Sequence, residues 1–370
     1  MALLVPLSGP NAAVGPALRQ AAELGLGDGG KPALDVRDTG GTPAGAAAAA
    51  QAALEAGADL ILGPLTSGET AAVAPITTAR GVAVLAFTND PAQAQPGVWP
   101  LGITPQQQVR RLMEAGRAQG RSRVAALLPG TELGRAMARA LEVSAPASGL
   151  SITRQVTYGA NFNSVNEAVR SLSNYGGRRG PLDAQIRALR ARGDAAGRRE
   201  AQQLARRSVP PPDFDLLLLA EGGNRLREIA SLLPYYDIDR PAVQVLGPAT
   251  WEGQAATLGQ DGALVGAWFA AADPQARAEF VDAYQATYGS APPRIADIAF
   301  DAAAIARVVA QGGGYSVAAL TAPEGFSGAS GLVALRPDGD VRRGLALFQV
   351  ERRGASLVEP APETLAAPGL

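Results

Sequence analysis

The stretch that decides the fold is DLILGPLTSGET, residues 59–70. A short apolar run that stops at Gly63 is typical of a buried parallel strand and the turn after it. Thr66 stands three residues before Glu69, the spacing of a capping box at the start of a helix. In an open α/β sheet, ligands bind beyond the carboxyl ends of the strands, where helix N-termini present free N–H groups. We therefore expect Ser67, at this helix start, to lie in a binding crevice.

Length and composition indicate a folded chain of two or three domains. The sequence has 370 residues, of which 47% are hydrophobic and 18% charged, and its net charge is -1. A charge balance so close to zero provides no overall field that would favour nucleic acid or an anionic membrane. The uninterrupted apolar runs fall short of the roughly 18 residues that a transmembrane helix needs, so we expect no transmembrane segment.

The sequence contains no histidine and no cysteine. Ser-His-Asp triads, thiolate nucleophiles, haem ligation by histidine and zinc sites built on these residues are therefore excluded. Lys31 is the only lysine, and it lies in a Gly-Gly-Lys-Pro turn, which is a poor place for a desolvated base. We expect no enzyme, no cofactor and no metal site.

One glycine-rich segment matches a dinucleotide-binding pattern by letter only. GLGDGG, residues 25–30, fits G-x-G-x-x-G. That pattern binds phosphate where it follows a strand and opens a helix, whereas this segment follows a predicted helix and precedes a predicted strand. We therefore expect no nucleotide there.

Strand-like and helix-like segments alternate up to Gly102 and again beyond it. This alternation predicts an α/β protein with two lobes, each built on a doubly wound parallel sheet. The residues of the predicted strands are 2–6, 33–36, 59–62 and 82–86 in the first lobe and 124–128, 151–158, 214–219 and 243–246 in the second. Later, Leu332–Leu335 and Val341–Val350 flank the turn sequence RPDGD and predict a β-hairpin.

A basic segment at 177–212 interrupts the alternation. Between Arg178 and Arg207 there are nine arginines against three carboxylates, with apolar residues at helical spacing. One interpretation is a solvated helical excursion, and the other is a basic face for an acidic partner. Nucleic acid is not expected, because aromatic residues that could stack on bases are absent from this segment.

Loop residues that follow several predicted strands form a candidate ligand-binding set. In the first lobe they are Ser8, Thr66, Ser67, Thr88 and Asn89, and in the second they are Leu133, Glu221, Asn224 and Trp251. Each by itself fits a helix cap or a turn. Together they would line one crevice if the two lobes face each other.

Five segments resemble a known family, and their order along the chain carries more weight than any one of them. They are VPLSGP at 5–10, GPLTS at 63–67, AYQATYG at 283–289, and GASG at 328–331 with the later PDGD at 337–340. Over nearly the whole chain they resemble the type I periplasmic binding proteins of the leucine/isoleucine/valine-binding kind. The resemblance implies two Rossmann-like lobes that the chain crosses three times, near Gly102, Ala270 and Gly328.

This resemblance sets the predicted domain boundaries. Lobe 1 comprises 1–103 plus 271–327, and lobe 2 comprises 104–270 plus 328–358 with the basic excursion at 177–212. Residues 359–370 form a tail rich in proline and alanine, which we expect to be loosely ordered.

The resemblance also implies roles for individual residues. Ser67 matches the serine that holds an amino-acid carboxylate, and Thr88 or Asn89 falls where a threonine helps to bind the polar head of the ligand. Leu133 stands where amino-acid binders commonly have a tyrosine, and Ala249 falls near the position of their acidic residue. A ligand ammonium group would then lack its partner, and burying it unpaired is costly.

Two further segments are more similar to the penicillin-binding-protein activator branch of this family. They are FTND at 87–90 and WPLG at 99–102, taken together with the basic excursion. This similarity implies a periplasmic, outer-membrane lipoprotein that stimulates peptidoglycan synthases. Met1 is followed at once by a predicted strand without signal-peptide features, so either the chain is cytoplasmic or, as the resemblance implies, a segment with a lipobox preceded Met1.

Two functional hypotheses follow for a protein without catalysis. The first is an envelope protein that binds a cell-wall synthase and regulates peptidoglycan synthesis. The alternative is the solute-binding receptor of an ABC importer, which holds an amino acid or another small polar ligand in the cleft between the lobes.

Overall fold

The computed structural model describes residues 1–27 and 34–365. The predictions on Lys31, on the glycine-rich segment beyond residue 27 and on the last five residues of the tail lie outside these ranges. In the described part of the tail, 360–365 have no helix or strand.

Strands and helices alternate along both halves of the chain. The strands are β1 (Ala2–Val5), β2 (Asp35–Asp38), β3 (Leu60–Leu62), β4 (Ala83–Ala86), β5 (Val98–Pro100), β6 (Arg123–Pro129), β7 (Ser151–Tyr158), β8 (Leu216–Leu219), β9 (Gln244–Gly247), β10 (Trp268–Ala271), β11 (Phe326–Gly328), β12 (Gly331–Leu335), β13 (Val341–Arg343), β14 (Ala346–Glu351) and β15 (Gly354–Glu359). The α-helices are α1 (Gly15–Leu26), α2 (Pro43–Glu55), α3 (Ser67–Thr78), α4 (Pro105–Ala118), α5 (Glu132–Ala147), α6 (Phe162–Leu172), α7 (Tyr175–Ala191), α8 (Ala195–Ala205), α9 (Gly223–Leu232), α10 (Ala255–Leu258), α11 (Pro274–Tyr288), α12 (Ala296–Gln311) and α13 (Val317–Leu320).

The chain divides into two compact units, neither of which is continuous in sequence. Unit 1 comprises Met1–Gln107, Ala272–Ala346 and the segment from Pro360, and unit 2 comprises Gln108–Ala271 and Leu347–Glu359. The predicted boundaries differ from these by a few residues at 104–107, 271 and 359, and by a whole segment at 328–346, which was assigned to lobe 2. Residues 328–346 are the larger difference. They lie in unit 1 because the apolar side chains of β12 and β13 are buried in the core of that unit.

Unit 1 is built on a parallel sheet with the strand order β2-β1-β3-β4-β5. Successive residues of a strand point to opposite faces, and in β1 both faces are apolar. Leu3 and Val5 lie in a core with residues of α1 and α12, whereas Ala2 and Leu4 lie in a core with residues of α2. A strand buried on both faces explains the uninterrupted apolar runs in the sequence and confirms the doubly wound arrangement.

Unit 2 is built on a larger sheet with the order β15-β14-β10-β9-β8-β6-β7. The pairs from β10 to β7 are parallel, and β14 and β15 form an antiparallel hairpin at one edge. Of the strands in this sheet, β10 and β15 were not predicted from the sequence. The mixed α/β fold with two lobes is otherwise the one predicted.

The hairpin predicted around RPDGD is formed by β12 and β13, which pair antiparallel. The backbone N–H of Arg336 donates to the carbonyl of Asp340 at 2.8 Å and closes the turn. The predicted second strand, Val341–Val350, is wrong in its length. It breaks at Gly344, because residues from Leu347 onward belong to unit 2 and its sheet.

None of the described helices combines the length and the hydropathy needed to cross a bilayer.

Candidate functional site

The start of α3 is fixed by the capping box that the sequence predicts. The Oγ1 of Thr66 accepts a hydrogen bond from the backbone N–H of Glu69 at 3.3 Å. The Glu69 carboxylate in return accepts from the Thr66 N–H at 2.9 Å and from its hydroxyl at 2.8 Å. Thr66 is therefore engaged in the cap, while the N–H groups of Ser67 and Gly68 lie outside the box at the positive end of the helix.

The glycine before this helix is required by its surroundings. Gly63 has a φ of +85°, and a Cβ atom there would lie 2.3 Å from the carbonyl oxygen of Leu4. A side chain would push the loop away from β1, so glycine keeps the start of α3 close to the carboxyl end of the sheet.

The side chain of Ser67 is bound to an aspartate that the sequence analysis did not select. Its Oγ donates to Oδ2 of Asp90 at 2.5 Å. Asp90 also accepts from the N–H of Ala92 at 3.0 Å, and its own N–H donates to Oγ1 of Thr88 at 3.1 Å. The structure thus brings Ser67 and Thr88 together through Asp90, with Asn89 exposed beside them. The Asp-Pro pair at 90–91 is a typical start of a short helical turn and could have revealed Asp90.

A second aspartate orders the loop that contains Ser8. The hydroxyl of Ser8 donates to Oδ2 of Asp38 at 2.6 Å. Oδ1 of Asp38 accepts from the backbone N–H groups of Leu7 at 2.8 Å and Gly40 at 2.8 Å. The Ser8 hydroxyl bond and then the Gly40 N–H bond lower the pKa of Asp38 to about 2, so the carboxylate is charged at neutral pH. These loops meet because β1 and β2 run parallel, with Val5 beside Asp38.

In unit 2 the predicted residue Glu221 follows β8 and is held from two directions. Its Oε2 accepts from the hydroxyl of Tyr158 at 2.6 Å, and its carbonyl oxygen accepts from the indole Nε1 of Trp251 at 2.8 Å. Burial, followed by the hydrogen bond to Glu221, raises the pKa of Tyr158 well above its usual range. Tyr158 therefore stays a hydrogen-bond donor to Glu221 at neutral pH.

The other residues predicted in unit 2 have different surroundings. Trp251 is fully buried, and a Cβ atom on Gly247 would lie 2.3 Å from its ring. It therefore positions Glu221 and packs the core, and it offers no surface to a ligand in this structure. Leu133 is 43% exposed and Asn224 is exposed, so both are accessible. The N–H of Ala249 donates to Oε1 of Gln108 at 2.8 Å.

Within the ranges 1–27 and 34–365, no three carboxylates lie close enough to hold a metal ion.

Two α/β units, each built on mainly parallel strands with polar side chains beyond the strand ends, fit the fold of the type I periplasmic binding proteins. A family model described as "Periplasmic binding protein" matches residues 1–355. The chain belongs to that family.

Three solved structures illustrate the likeness. A Rhodospirillum rubrum protein assigned to a branched-chain amino acid ABC transporter is 19% identical, with 97% of this chain and 99% of that chain covered and a TM-score of 0.74. An ABC transporter substrate-binding protein from Desulfitobacterium hafniense, in complex with Leu, is 16% identical, with 97% and 99% covered and a TM-score of 0.63. A solute-binding protein from R. palustris, in complex with benzoate, is 17% identical, with 100% and 98% covered and a TM-score of 0.57. Identities this low show a shared fold alone.

One curated relative is an uncharacterized protein of Rickettsia prowazekii, which is 26% identical over 175 residues. The match covers 47% of each protein, so it spans about half the length of that relative.

Proposed function

We propose that this protein is the solute-binding receptor of an ABC importer, acting outside the cytoplasm and without catalysis. The family membership supports this function. The single observation that carries it is the position of Ser67, at the start of α3 beyond the carboxyl end of β3.

The surroundings of Ser67 favour a small ligand that carries both an acceptor oxygen and a hydrogen-bond donor. The free N–H groups at the start of α3 attract an acceptor or an anionic oxygen. The hydroxyl proton of Ser67 is already given to Asp90, so the remaining lone pairs of Ser67 accept from a donor. Hydroxy acids and amino acids have both groups.

In unit 2, Glu221 is the proposed acceptor for a ligand donor. Tyr158 and Trp251 hold it in place, which reduces the conformational entropy lost on binding. Leu133 and Asn224 are the accessible neighbours along the strand ends of this unit, and they supply apolar and polar contacts respectively.

The test is thermal unfolding of the full chain with amino acids, hydroxy acids and aromatic carboxylates. A ligand present at about 100 times its dissociation constant adds about 2.7 kcal/mol to the free energy of unfolding, so we expect an amino acid or a hydroxy acid to raise the melting temperature clearly. Ser67→Phe should abolish that shift by covering the start of α3. Val317→Phe, at the exposed first position of α13 in the same unit, is the matched control and should keep it.

Two outcomes contradict the proposal. If the ligand still raises the melting temperature of Ser67→Phe, the ligand site does not lie at Ser67, although the receptor function would stand. The absence of any shift across the three ligand classes would reject the receptor function itself.

The first hypothesis from the sequence, a penicillin-binding-protein activator, has weaker support than the importer receptor. The similarity to solved substrate-binding proteins favours the receptor. A synthase partner, a role in peptidoglycan synthesis and a lipoprotein anchor rest on the sequence resemblance and on the basic segment alone.

A further inference from the structure

Unit 2 contains a strongly basic helical hairpin, formed by α7 and α8 between α6 and β8. From Arg178 to Arg207 it has nine arginines and three carboxylates, a net charge of +6 in a chain whose total is -1. Charges are screened beyond about 10 Å at ordinary ionic strength. The local positive charge of the hairpin, and not the net charge of the whole chain, therefore determines which partners it attracts.

The hairpin has its own packing and a fixed base. Ile186 and Ala201 are buried along its seam, and a Cβ atom on Gly197 would lie 2.5 Å from the carbonyl oxygen of Leu189. At the base, Arg178 donates to the carbonyl oxygens of Ser173, Pro210 and Tyr236, each at 2.7 Å, and pairs with Asp237 at 3.1 Å. The hairpin is therefore an ordered part of unit 2, anchored to it by hydrogen bonds.

The three carboxylates of the hairpin are already paired. Asp183 binds Arg179 at 3.0 Å, while Asp194 and Glu200 both pair with Arg192, at 3.3 and 3.6 Å. Six arginines remain exposed without a carboxylate within 4.0 Å among the described residues. They are Arg187, Arg190, Arg198, Arg199, Arg206 and Arg207.

The residue types on the exposed face of the hairpin indicate the kind of surface that it binds. No large apolar side chain is exposed between residues 176 and 207, although protein interfaces usually have an apolar or aromatic centre. At the base of the hairpin, Tyr235 is 67% exposed and stacks on Tyr175 with ring centroids 6.1 Å apart. Tyrosine beside a basic surface suits the headgroup region of a membrane, where its ring and its hydroxyl are both accommodated.

We propose that the α7–α8 hairpin docks on the anionic headgroup surface of a phospholipid bilayer. Clusters of basic residues bind such surfaces through the sum of many weak attractions, without inserting. This docking does not depend on the proposed solute site.

The test is sedimentation of the full chain with vesicles. We expect binding to vesicles of phosphatidylglycerol mixed with phosphatidylcholine, none to phosphatidylcholine alone, and weaker binding at about 0.15 M salt than at about 0.01 M. Replacing the six exposed arginines by glutamine should weaken binding at least tenfold. The matched control replaces six exposed arginines outside the hairpin by glutamine: Arg80, Arg135, Arg139, Arg227, Arg352 and Arg353. It should retain binding within about twofold.

Two outcomes would overturn the proposal. Equal loss in both variants would mean that total charge matters and the hairpin does not. If the chain does not bind anionic vesicles but binds immobilised polyglutamate through the hairpin arginines, the surface binds an acidic protein.

Should the six-fold variant fail to fold, the double variants R206Q/R207Q and R187Q/R190Q should each weaken vesicle binding about threefold or more. Unchanged binding in both would reject the proposal. If the solute ligand still raises the melting temperature of these variants, their loss of vesicle binding is independent of the solute site.

Discussion

Two aspartates that accept several hydrogen bonds hold the loops at the strand ends of unit 1. Asp38 accepts hydrogen bonds from the Ser8 loop. Asp90 accepts them from Ser67 and from the turn that follows β4. Hydrogen bonds to a carboxylate are among the stronger ones in proteins, and they favour its ionised form. Asp38 and Asp90 thus set the shape of the candidate site, and their carboxylate oxygens already accept several hydrogen bonds from the protein.

Asp38 gives a pH-dependent prediction. Its pKa falls from 3.8 to about 2 on folding, chiefly through the Ser8 hydroxyl, so its contribution to stability is present above pH 3.8 and is lost as the pH falls through 2. Asp38→Asn should therefore lower the free energy of unfolding at pH 7 by roughly 1 kcal/mol, after allowance for solvent screening. Urea unfolding of both proteins between pH 7 and pH 2 should show the difference shrinking below pH 4.

Asp282→Asn is the control, because it removes one exposed carboxylate from α11. A difference between Asp38→Asn and the original chain that stays constant from pH 7 to pH 2 would contradict the assigned role.

At the scale of elements, the caps of α2 and α3 differ in one respect. Thr42 at the start of α2 accepts from the N–H of Gly45 at 3.1 Å, and Gly45 stands at the position that Glu69 occupies in α3. Thr66 at the start of α3 accepts in the same way and also donates to the fully buried Glu69. The second cap therefore satisfies a buried carboxylate as well as a helix end.

We expect Thr66→Ala to cost more stability than Thr42→Ala. Loss of the cap alone costs about 1 kcal/mol, the expected value for Thr42→Ala. Thr66→Ala also deprives buried Glu69 of a donor, which adds about 1–3 kcal/mol. Urea unfolding measures both values, and equal losses would show that Glu69 gains nothing from the Thr66 hydroxyl.

The elements that the sequence predicts well are those with local signals. The β3 strand, its glycine turn and the capping box of α3 lie within residues 59–70, and all three are confirmed. Trp251 could not be assigned from the sequence, because a tryptophan beside a Gly-Pro turn fits both a core and a ligand site. The bond from Ser67 to Asp90 and the bond from Ser8 to Asp38 were missed because the partners lie 23 and 30 residues apart in the sequence.

At the scale of the whole molecule, unit 1 depends on segments far apart in the sequence. Asp301 on α12 pairs with Arg343 on β13 at 2.9 Å, and both side chains are fully buried. Arg343 also donates to the carbonyl oxygen of Leu101, just after β5. One guanidinium therefore joins three segments that the sequence keeps more than 40 residues apart.

Breaking this pair should be costly. Asp301→Ala and Arg343→Ala should each lower the free energy of unfolding by about 3–5 kcal/mol, because each leaves a buried charge without its partner. The double variant should cost clearly less than the sum of the two. A double-mutant cycle by urea unfolding gives the coupling, and strict additivity would contradict it. The exposed pair Arg19 and Glu23, 3.4 Å apart, is the control and should couple by about 0.3–0.5 kcal/mol.

The discontinuity of both units has a consequence for biosynthesis. As the ribosome extends the chain, unit 1 has no counterion for Asp301 until Arg343 has emerged, and unit 2 has no edge hairpin until Glu359 has emerged. Domains that are contiguous can fold one after the other during translation, but unit 1 has to wait for Ala272–Ala346 and unit 2 for Leu347–Glu359. We therefore expect a nascent chain that stops at residue 271 to complete neither unit.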